Sequence, residues 1–256
     1  MNSIAPLISA LCLTYNRPEW LPRAVEIFLQ QTWPKKELLI MDASDEDKRV
    51  KLPADGRVHR TFFSAQQSGS GNRNKAGILQ AKGDLVVYYD DDDWSHKDRL
   101  LEQAIPILEG RASMTGIQLG AVVCATLPGP RFWKLGRGPN FSKRLSDNIH
   151  GPQPGKPPLR FSDGTTMFKR SLLQGPDDPA LGLSKVPFQQ EILSRDNRTI
   201  SLALEHLYVY VRHGGNIYPL DESAWTMTPT PAPAWVPAEQ YKFWQFAPWK
   251  GAGDGR

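Results

Sequence analysis

Four consecutive acidic residues, Asp90-Asp91-Asp92-Asp93, follow the apolar stretch Leu85–Tyr89 and precede Trp94. If buried, such a run repels itself and loses hydration, which raises carboxyl pKa values unless a cation intervenes. A hard divalent ion such as Mg2+ or Mn2+ suits carboxylate oxygens and shares its shell with substrate phosphates. In an extended segment alternate side chains share a face, so Asp90 and Asp92 are expected to act together, one on the metal and the other on a nucleotide's sugar ring. The competing reading is a solvated acidic loop. Asp42 closes a second apolar stretch and is placed to accept hydrogen bonds from a base or ribose hydroxyl, or else to shape a turn. Arg73 lies between Asn72 and Asn74 at the start of an expected helix, where backbone N–H groups and a guanidinium suit a diphosphate. A plain surface arginine is the alternative.

The elements that must hold these side chains alternate between strand and helix. Leu7–Leu13 reads as a buried strand, and Glu19–Gln31 as a helix with Leu21, Ala24, Val25 and Phe28 on one face. Glu37–Met41 and Val58–Phe63 read as strands. A glycine loop, Ser68-Gly69-Ser70-Gly71, leads into a helix from about Asn72 to Ala81, closed by Lys82 and a C′ glycine at Gly83. Leu85–Tyr89 is a strand buried on both faces, followed by a helix over about Lys97–Leu108. Right-handed βαβ units and a mostly parallel sheet follow, with ligands expected at the carboxyl ends of the strands, where Asp42 and Asp90 sit. The second half holds an expected strand Ala121–Leu127, a loop over 128–160, order over Phe161–Leu173, a short helix Phe188–Ser194 and a strand Leu207–Arg212.

The 256 residues suffice for one α/β domain with an extension. The expected division is 1–122, 123–218 and a Pro/Trp-rich extension 219–256 that covers the domain or meets a partner. No run approaches the roughly 18–20 apolar residues of a membrane span, and Leu7–Leu13 lacks the flanks of a signal peptide. The two cysteines, Cys12 and Cys124, read as buried reduced thiols, giving a cytoplasmic expectation. Net charge is +4, a mild bias toward anionic partners. Residues 131–170 carry nine Lys or Arg against two acids, with aromatic residues interleaved. That pattern suits a nucleic acid or phosphorylated acceptor, or simply a solvated basic loop.

Taken in order, Leu11-Cys12-Leu13-Thr14-Tyr15-Asn16-Arg17-Pro18, Asp42, Gly71-Asn72-Arg73-Asn74-Lys75-Ala76-Gly77 and Tyr89-Asp90-Asp91-Asp92-Asp93-Trp94 resemble the successive motifs of glycosyltransferase family 2. The resemblance covers roughly residues 5–110, and 160–215 more loosely. It implies a GT-A-type Rossmann-like fold and inverting, metal-dependent transfer from a UDP-, GDP- or TDP-sugar with Mn2+ or Mg2+. It implies that Thr14, Tyr15, Asn16, Arg17, Asp42 and Arg73 surround the nucleotide. Asp90 and Asp91 would lie near ribose and metal, and Asp92 would be a direct metal ligand. His213, in Arg212-His213-Gly214-Gly215, is a further candidate ligand by the same likeness. Where the family often has a second acidic residue after Asp42, this chain has Ala43. The family's general base is acidic and helical, which nominates Glu191 in Gln189-Gln190-Glu191, with Asp163 as rival. The acceptor expected is a glycan or lipid-linked glycan. The alternatives are a hydroxylated DNA base, engaged by the basic segment, and a non-catalytic module that binds nucleotide-sugar or nucleic acid.

Overall fold

The computed structural model describes residues 5–64, 67, 69–118, 120, 122–124, 130–137, 162–213 and 225–246. In chain order the first half comprises β1 (Ile8–Thr14), α1 (Leu21–Leu29), β2 (Lys36–Asp42), β3 (Val58–Phe62), α2 (Ser70–Gln80), β4 (Leu85–Tyr88), β5 (Trp94–Ser95) and α3 (Arg99–Leu108). The second half adds β6 (Met114–Ile117), β7 (Val122–Cys124), β8 (Arg131–Arg137), β9 (Met167–Lys169), α4 (Lys185–Arg195), β10 (Thr199–Leu202), β11 (Tyr208–Arg212), β12 (Trp225–Thr230) and α5 (Ala238–Phe246).

Seven strands form the main sheet in the order β10-β6-β9-β4-β1-β2-β3. All neighbours run parallel except β9, which is antiparallel to both β4 and β6. The central strand β4 is apolar throughout, and β1 and β2 carry long apolar runs, because both faces are covered there. Ile8, Ala10 and Cys12 of β1 and Leu85 and Val87 of β4 join Leu21, Val25 and Phe28 of α1 and Leu100, Ala104 and Ile107 of α3. The intervening Leu11, Val86 and Tyr88 point the other way, against Ile78 of α2 and Phe188 and Ile192 of α4. Each fully buried Phe or Leu in these two layers contributes roughly 1.5–3 kcal/mol. The α/β architecture expected from the alternating elements is therefore the one formed.

A smaller second sheet, β12-β8-β7-β11-β5, was not legible as such. Its strand β11 pairs antiparallel with the two residues of β5, immediately after the aspartates, and parallel with β7. The C-terminal part packs on the same core: β12 pairs with β8, and Trp244 of α5 is almost fully buried. Cys12 is buried with a free thiol, whose pKa burial raises. No helix among the described residues is long and apolar enough to cross a membrane. Of the basic segment, residues 138–161 lie outside the described residues, as do 214–224.

Two local expectations change. The glycine loop is partly helix: α2 starts at Ser70, with Gly69 as its N-cap and Arg73 N donating to Gly69 O at 3.1 Å. Gly83 is not a left-handed cap either. The helix ends at Ala81 in extended backbone, and the only described glycines with positive φ are Gly110 and Gly175. Gly83 is needed for close approach instead, because a Cβ there would lie 2.6 Å from Leu7 O, 2.7 Å from Ser9 N and 2.8 Å from Leu85 O. Its N–H donates to Ser9 Oγ at 2.8 Å, and Ser9 Oγ donates to the buried Glu37 at 2.6 Å. All three crowding atoms are backbone, so they cannot swing aside. Gly83→Ala is expected to lower the unfolding free energy by about 1–3 kcal/mol in chemical denaturation. An unchanged midpoint would show that the β1–β4 edge can spread.

Candidate active site at the carboxyl edge of the main sheet

Strands β1 and β2 end in register at Thr14 and Asp42, while β4 ends at Tyr88 opposite Leu11 and leads into the aspartates at the same rim. Beyond Tyr88 the chain bends through residues 91–93 before β5. That bend defeats the expected alternation of side chains: Asp91 and Asp92 share Arg17, while Asp90 and Asp93 have partners of their own. Asp90 receives Lys185 Nζ at 2.7 Å on both oxygens. Asp91 accepts from Thr14 Oγ1 at 2.6 Å and Arg17 Nη1 at 2.5 Å. Asp92 Oδ2 lies 2.8 Å from Arg17 Nη1 and 3.0 Å from His213 Nε2. Asp93 accepts from Val211 N at 2.9 Å and pairs with the Tyr208 hydroxyl.

Asp91, Asp92 and Asp93 are all buried; Arg17 compensates the first two, and Asp93 is met by neutral donors. Burial raises the pKa of Asp90 against the pull of Lys185, and that of Asp91 against the pull of Arg17. Asp93 is raised well above the usual range by burial and by the charges of Asp92 and Asp90. At Asp92 burial also acts upward, yet Arg17 and His213 outweigh it and hold this carboxyl well below its ordinary value. The run is thus differentiated, with Asp92 the most firmly ionised member.

Two atoms bound at right angles to one divalent ion, about 2.1 Å from each, lie about 3.0 Å apart. Asp92 Oδ2 and His213 Nε2 have that separation, so this carboxylate–imidazole pair fits two coordination positions of Mn2+ or Mg2+. Among the described residues no three His, Cys, Asp or Glu side chains gather as a complete cage. Such an ion would therefore take its remaining ligands from water and substrate phosphates, as magnesium commonly does. Asp90, expected to share the metal, is turned toward Lys185 instead.

Several sequence candidates fall elsewhere. Tyr15 is half exposed at the rim. Asn16, at φ 51°, donates to Asp45 at 2.7 Å and takes a bond from Asp45 N at 2.9 Å, locking the loop after β1 to the loop after β2. Asp42 is 0 % exposed: it accepts from Ser44 N at 2.7 Å and from Arg60 Nε at 2.9 Å, so direct contact with a base is closed to it in this conformation. Arg73 is buried and donates to Thr14 O at 2.8 Å, tying α2 to the end of β1. Asp163 lies 3.5 Å from Lys185, with 43 % of its side chain exposed. Glu191 is not brought to the aspartates. Lys185 and Gln189, one turn apart on α4, face the site, and Gln189 Nε2 donates to Asp163 O at 2.9 Å. Two residues further on the helix turns by about 200°, and Glu191 meets Arg195 at 3.8 Å.

The sequence reading missed Lys185, Arg99 and Tyr208. Arg99, almost fully buried, donates to Ser95 Oγ at 2.8 Å, Tyr88 O at 2.7 Å and Gly164 O at 3.1 Å, and lies over the rings of Tyr89 and Tyr208. It joins the backbone on both sides of the site. Only the helical phase linking Lys185 to Gln189 could have flagged Lys185, and nothing local flags the others.

Comparison with known proteins bears on this rim. The sequence model described as "Glycosyl transferase family 2" matches residues 9–174. The putative teichuronic acid biosynthesis glycosyltransferase TuaG of Bacillus subtilis is 29 % identical over 128 residues, 47 % of this chain and 50 % of that protein. The chain spans about half the length of the first curated relatives it matches. Among solved structures, S. aureus TarS 1–349 superposes with a TM-score of 0.54 at 18 % identity, covering 80 % of this chain and 60 % of that one. A mannosyltransferase from Pyrobaculum calidifontis, in complex with GDP-Man and Mn2+, gives 0.53 at 15 % identity, covering 82 % and 57 %. These structural likenesses establish the GT-A fold.

Helix α4 is anchored by an ion pair outside the site. The buried Asp178 accepts from Arg195 Nη2 at 2.7 Å, Gln174 N at 2.8 Å and Ala180 N at 2.9 Å. The Arg195 hydrogen bond, helped by those two N–H groups, depresses its pKa well below the carboxylate range. A depressed carboxyl contributes stability above its unfolded pKa of about 3.9 and loses it as pH falls through the folded value. Asp178→Asn is expected to cost about 3 kcal/mol at pH 7, and the gap from wild type should narrow below about pH 4. Denaturant titrations at pH 7 and pH 3 measure both, and a gap that does not change with pH would remove the ionic explanation.

Proposed function

The chain belongs to glycosyl transferase family 2, and on that premise we propose that it transfers a sugar, with inversion, from a nucleotide-sugar donor to an acceptor hydroxyl. The observation carrying this reading is the 3.0 Å approach of Asp92 Oδ2 to His213 Nε2 beside Arg17, at the edge where open α/β sheets bind ligands. The solved relatives include complexes with UDP-GlcNAc and with GDP-Man and Mn2+, which supports a nucleotide-sugar donor. A divalent ion on Asp92 and His213 would neutralise charge growing on the leaving diphosphate.

The protein's own side chains supply the rest. Tyr15, exposed at the rim, offers a stacking face to the base. Arg17 supplies a guanidinium of the kind that binds phosphate in two-pronged fashion. Asp163 is the better-placed general base: it is exposed enough to meet an acceptor and is oriented by Lys185, whereas Glu191 lies around the helix with Arg195. Asp163 would take the hydroxyl proton as the acceptor oxygen attacks the anomeric carbon from the face opposite the diphosphate. The acceptor class that best accords with the relatives' names is a glycan or lipid-linked glycan; one relative is named as a glucosyltransferase acting on an undecaprenol-linked glycan.

A screen of UDP-, GDP- and TDP-sugars with Mn2+ checks the proposal. The matching nucleoside diphosphate at a hundredfold excess over its Kd should stabilise the fold by about 2.7 kcal/mol. Asp163→Asn should keep that shift while lowering kcat roughly 10²–10⁴-fold. Asp92→Ala should abolish the metal-dependent part of the shift. Unimpaired turnover in Asp92→Ala would refute the metal assignment, and binding without any turnover or donor hydrolysis would leave a non-catalytic module.

A further inference from the structure

The oxygen best placed for a metal ion is already occupied by a side chain. Arg17 Nη1 bridges Asp91 Oδ1 at 2.5 Å and Asp92 Oδ2 at 2.8 Å, and that same Oδ2 faces His213 Nε2. We propose that Arg17 is an internal counter-cation that a divalent ion must displace from Asp92, so that metal ion and nucleoside diphosphate enter the site together rather than metal first. The inference rests on the nucleotide-sugar reading above and goes beyond it by fixing how the site is loaded.

The argument is electrostatic. A divalent ion bound to Asp92 Oδ2 would lie within contact range of a guanidinium held by the same oxygen, and two cations cannot share one carboxylate oxygen in a buried setting without further negative charge. Water ligands are neutral and cannot supply that charge, and Asp91 and Asp92 are almost fully buried, so bulk solvent screens it little. A diphosphate can: its oxygens ligate the ion and also receive the displaced guanidinium. The geometry permits this exchange without moving the backbone. Asn16 locks the loop to Ser44 and Asp45, with Asn16 N donating to Ser44 Oγ at 2.8 Å, while the Arg17 side chain keeps 16 % of its surface exposed. The guanidinium can therefore swing from Asp92 toward an incoming phosphate while its main chain stays fixed. The linkage is reciprocal: whatever Arg17 costs the metal alone is returned when the diphosphate binds.

Direct titration of Mn2+ into the full chain, followed by electron paramagnetic resonance without nucleotide, tests this. Wild type should bind Mn2+ weakly, and Arg17→Gln about tenfold more tightly. Arg17→Lys, which keeps the charge, should stay near wild type. With UDP or GDP added, and metal complexation by free nucleotide subtracted, the order should reverse, Arg17→Gln binding the metal–nucleotide pair more weakly than wild type. Opposite signs in the two arms are not produced by a merely structural arginine. Unchanged or weakened metal affinity in Arg17→Gln, with nucleotide binding intact, overturns the inference and leaves the proposed function standing. Should that variant not fold, the wild type decides: Mn2+ bound alone as tightly as in the nucleotide's presence overturns the inference. A wild type that binds neither metal nor nucleoside diphosphate overturns both.

Discussion

Charge compensation at the bend after β4 is the constraint that organises this protein. Four adjacent acidic side chains are carried to a largely dry rim, and they are met by groups from three separate parts of the chain. Arg17 reaches Asp91 and Asp92 from the loop after β1, Lys185 reaches Asp90 from the start of α4, and Tyr208 and Val211 meet Asp93 from β11. Loss of Arg17 or Lys185 would leave a carboxylate at this rim without its cation, which is costly in a low-dielectric setting. The site therefore binds the two sheets and α4 together while it prepares Asp92 for a ligand.

The second sheet has a definite part in this. Its strand β11 joins β5 directly after the aspartates, and two residues beyond Val211 comes His213. The imidazole is then fixed from behind, stacked on Trp20 at 4.3 Å between ring centroids, and Trp20 in turn meets Phe243 of α5 edge-on at 5.2 Å. A helix near the C-terminal end, outside the 9–174 family match, thus supports a ring at the centre of the site. Trp235 lies against Trp94 in the same way, at 5.6 Å. Trp235 and Trp244 of the Pro/Trp-rich extension are thus part of the domain's own packing.

Four strands of the main sheet, β1 to β4, were legible because their signals are local, whereas β6, β9 and β10 were not read as strands. Uninterrupted apolar runs such as Leu38–Met41 and Leu85–Tyr88 mark strands covered on both faces, and the spacing of Leu21, Val25 and Phe28 marks a helix with one buried face. The ordered motifs around Thr14, Arg73 and Asp90–Asp93 pointed to the rim itself. Where the reading failed, a long-range partner decided the outcome. Asp42 looked free for a base, but the β2–β3 register places Arg60 against it. Glu191 looked like a base, but the phase of α4 presents Lys185 and Gln189 to the aspartates and leaves Glu191 with Arg195. Gly83 looked like a helix cap, but three backbone atoms crowd it.

Sequence alone determined the α/β class, the first four strands to within a residue or so, and the clustered acid after the fourth, because hydrophobic periodicity and adjacency in the chain are properties of neighbouring residues. It could not determine which carboxylate stays ionised, since that depends on cations 74, 75 and 95 positions away in the chain. Only the folded chain brings Arg17, Lys185 and His213 within hydrogen-bonding distance of the run. Electrostatic interaction is set by separation in space and by the loss of water around it, and neither quantity is written in the order of the residues.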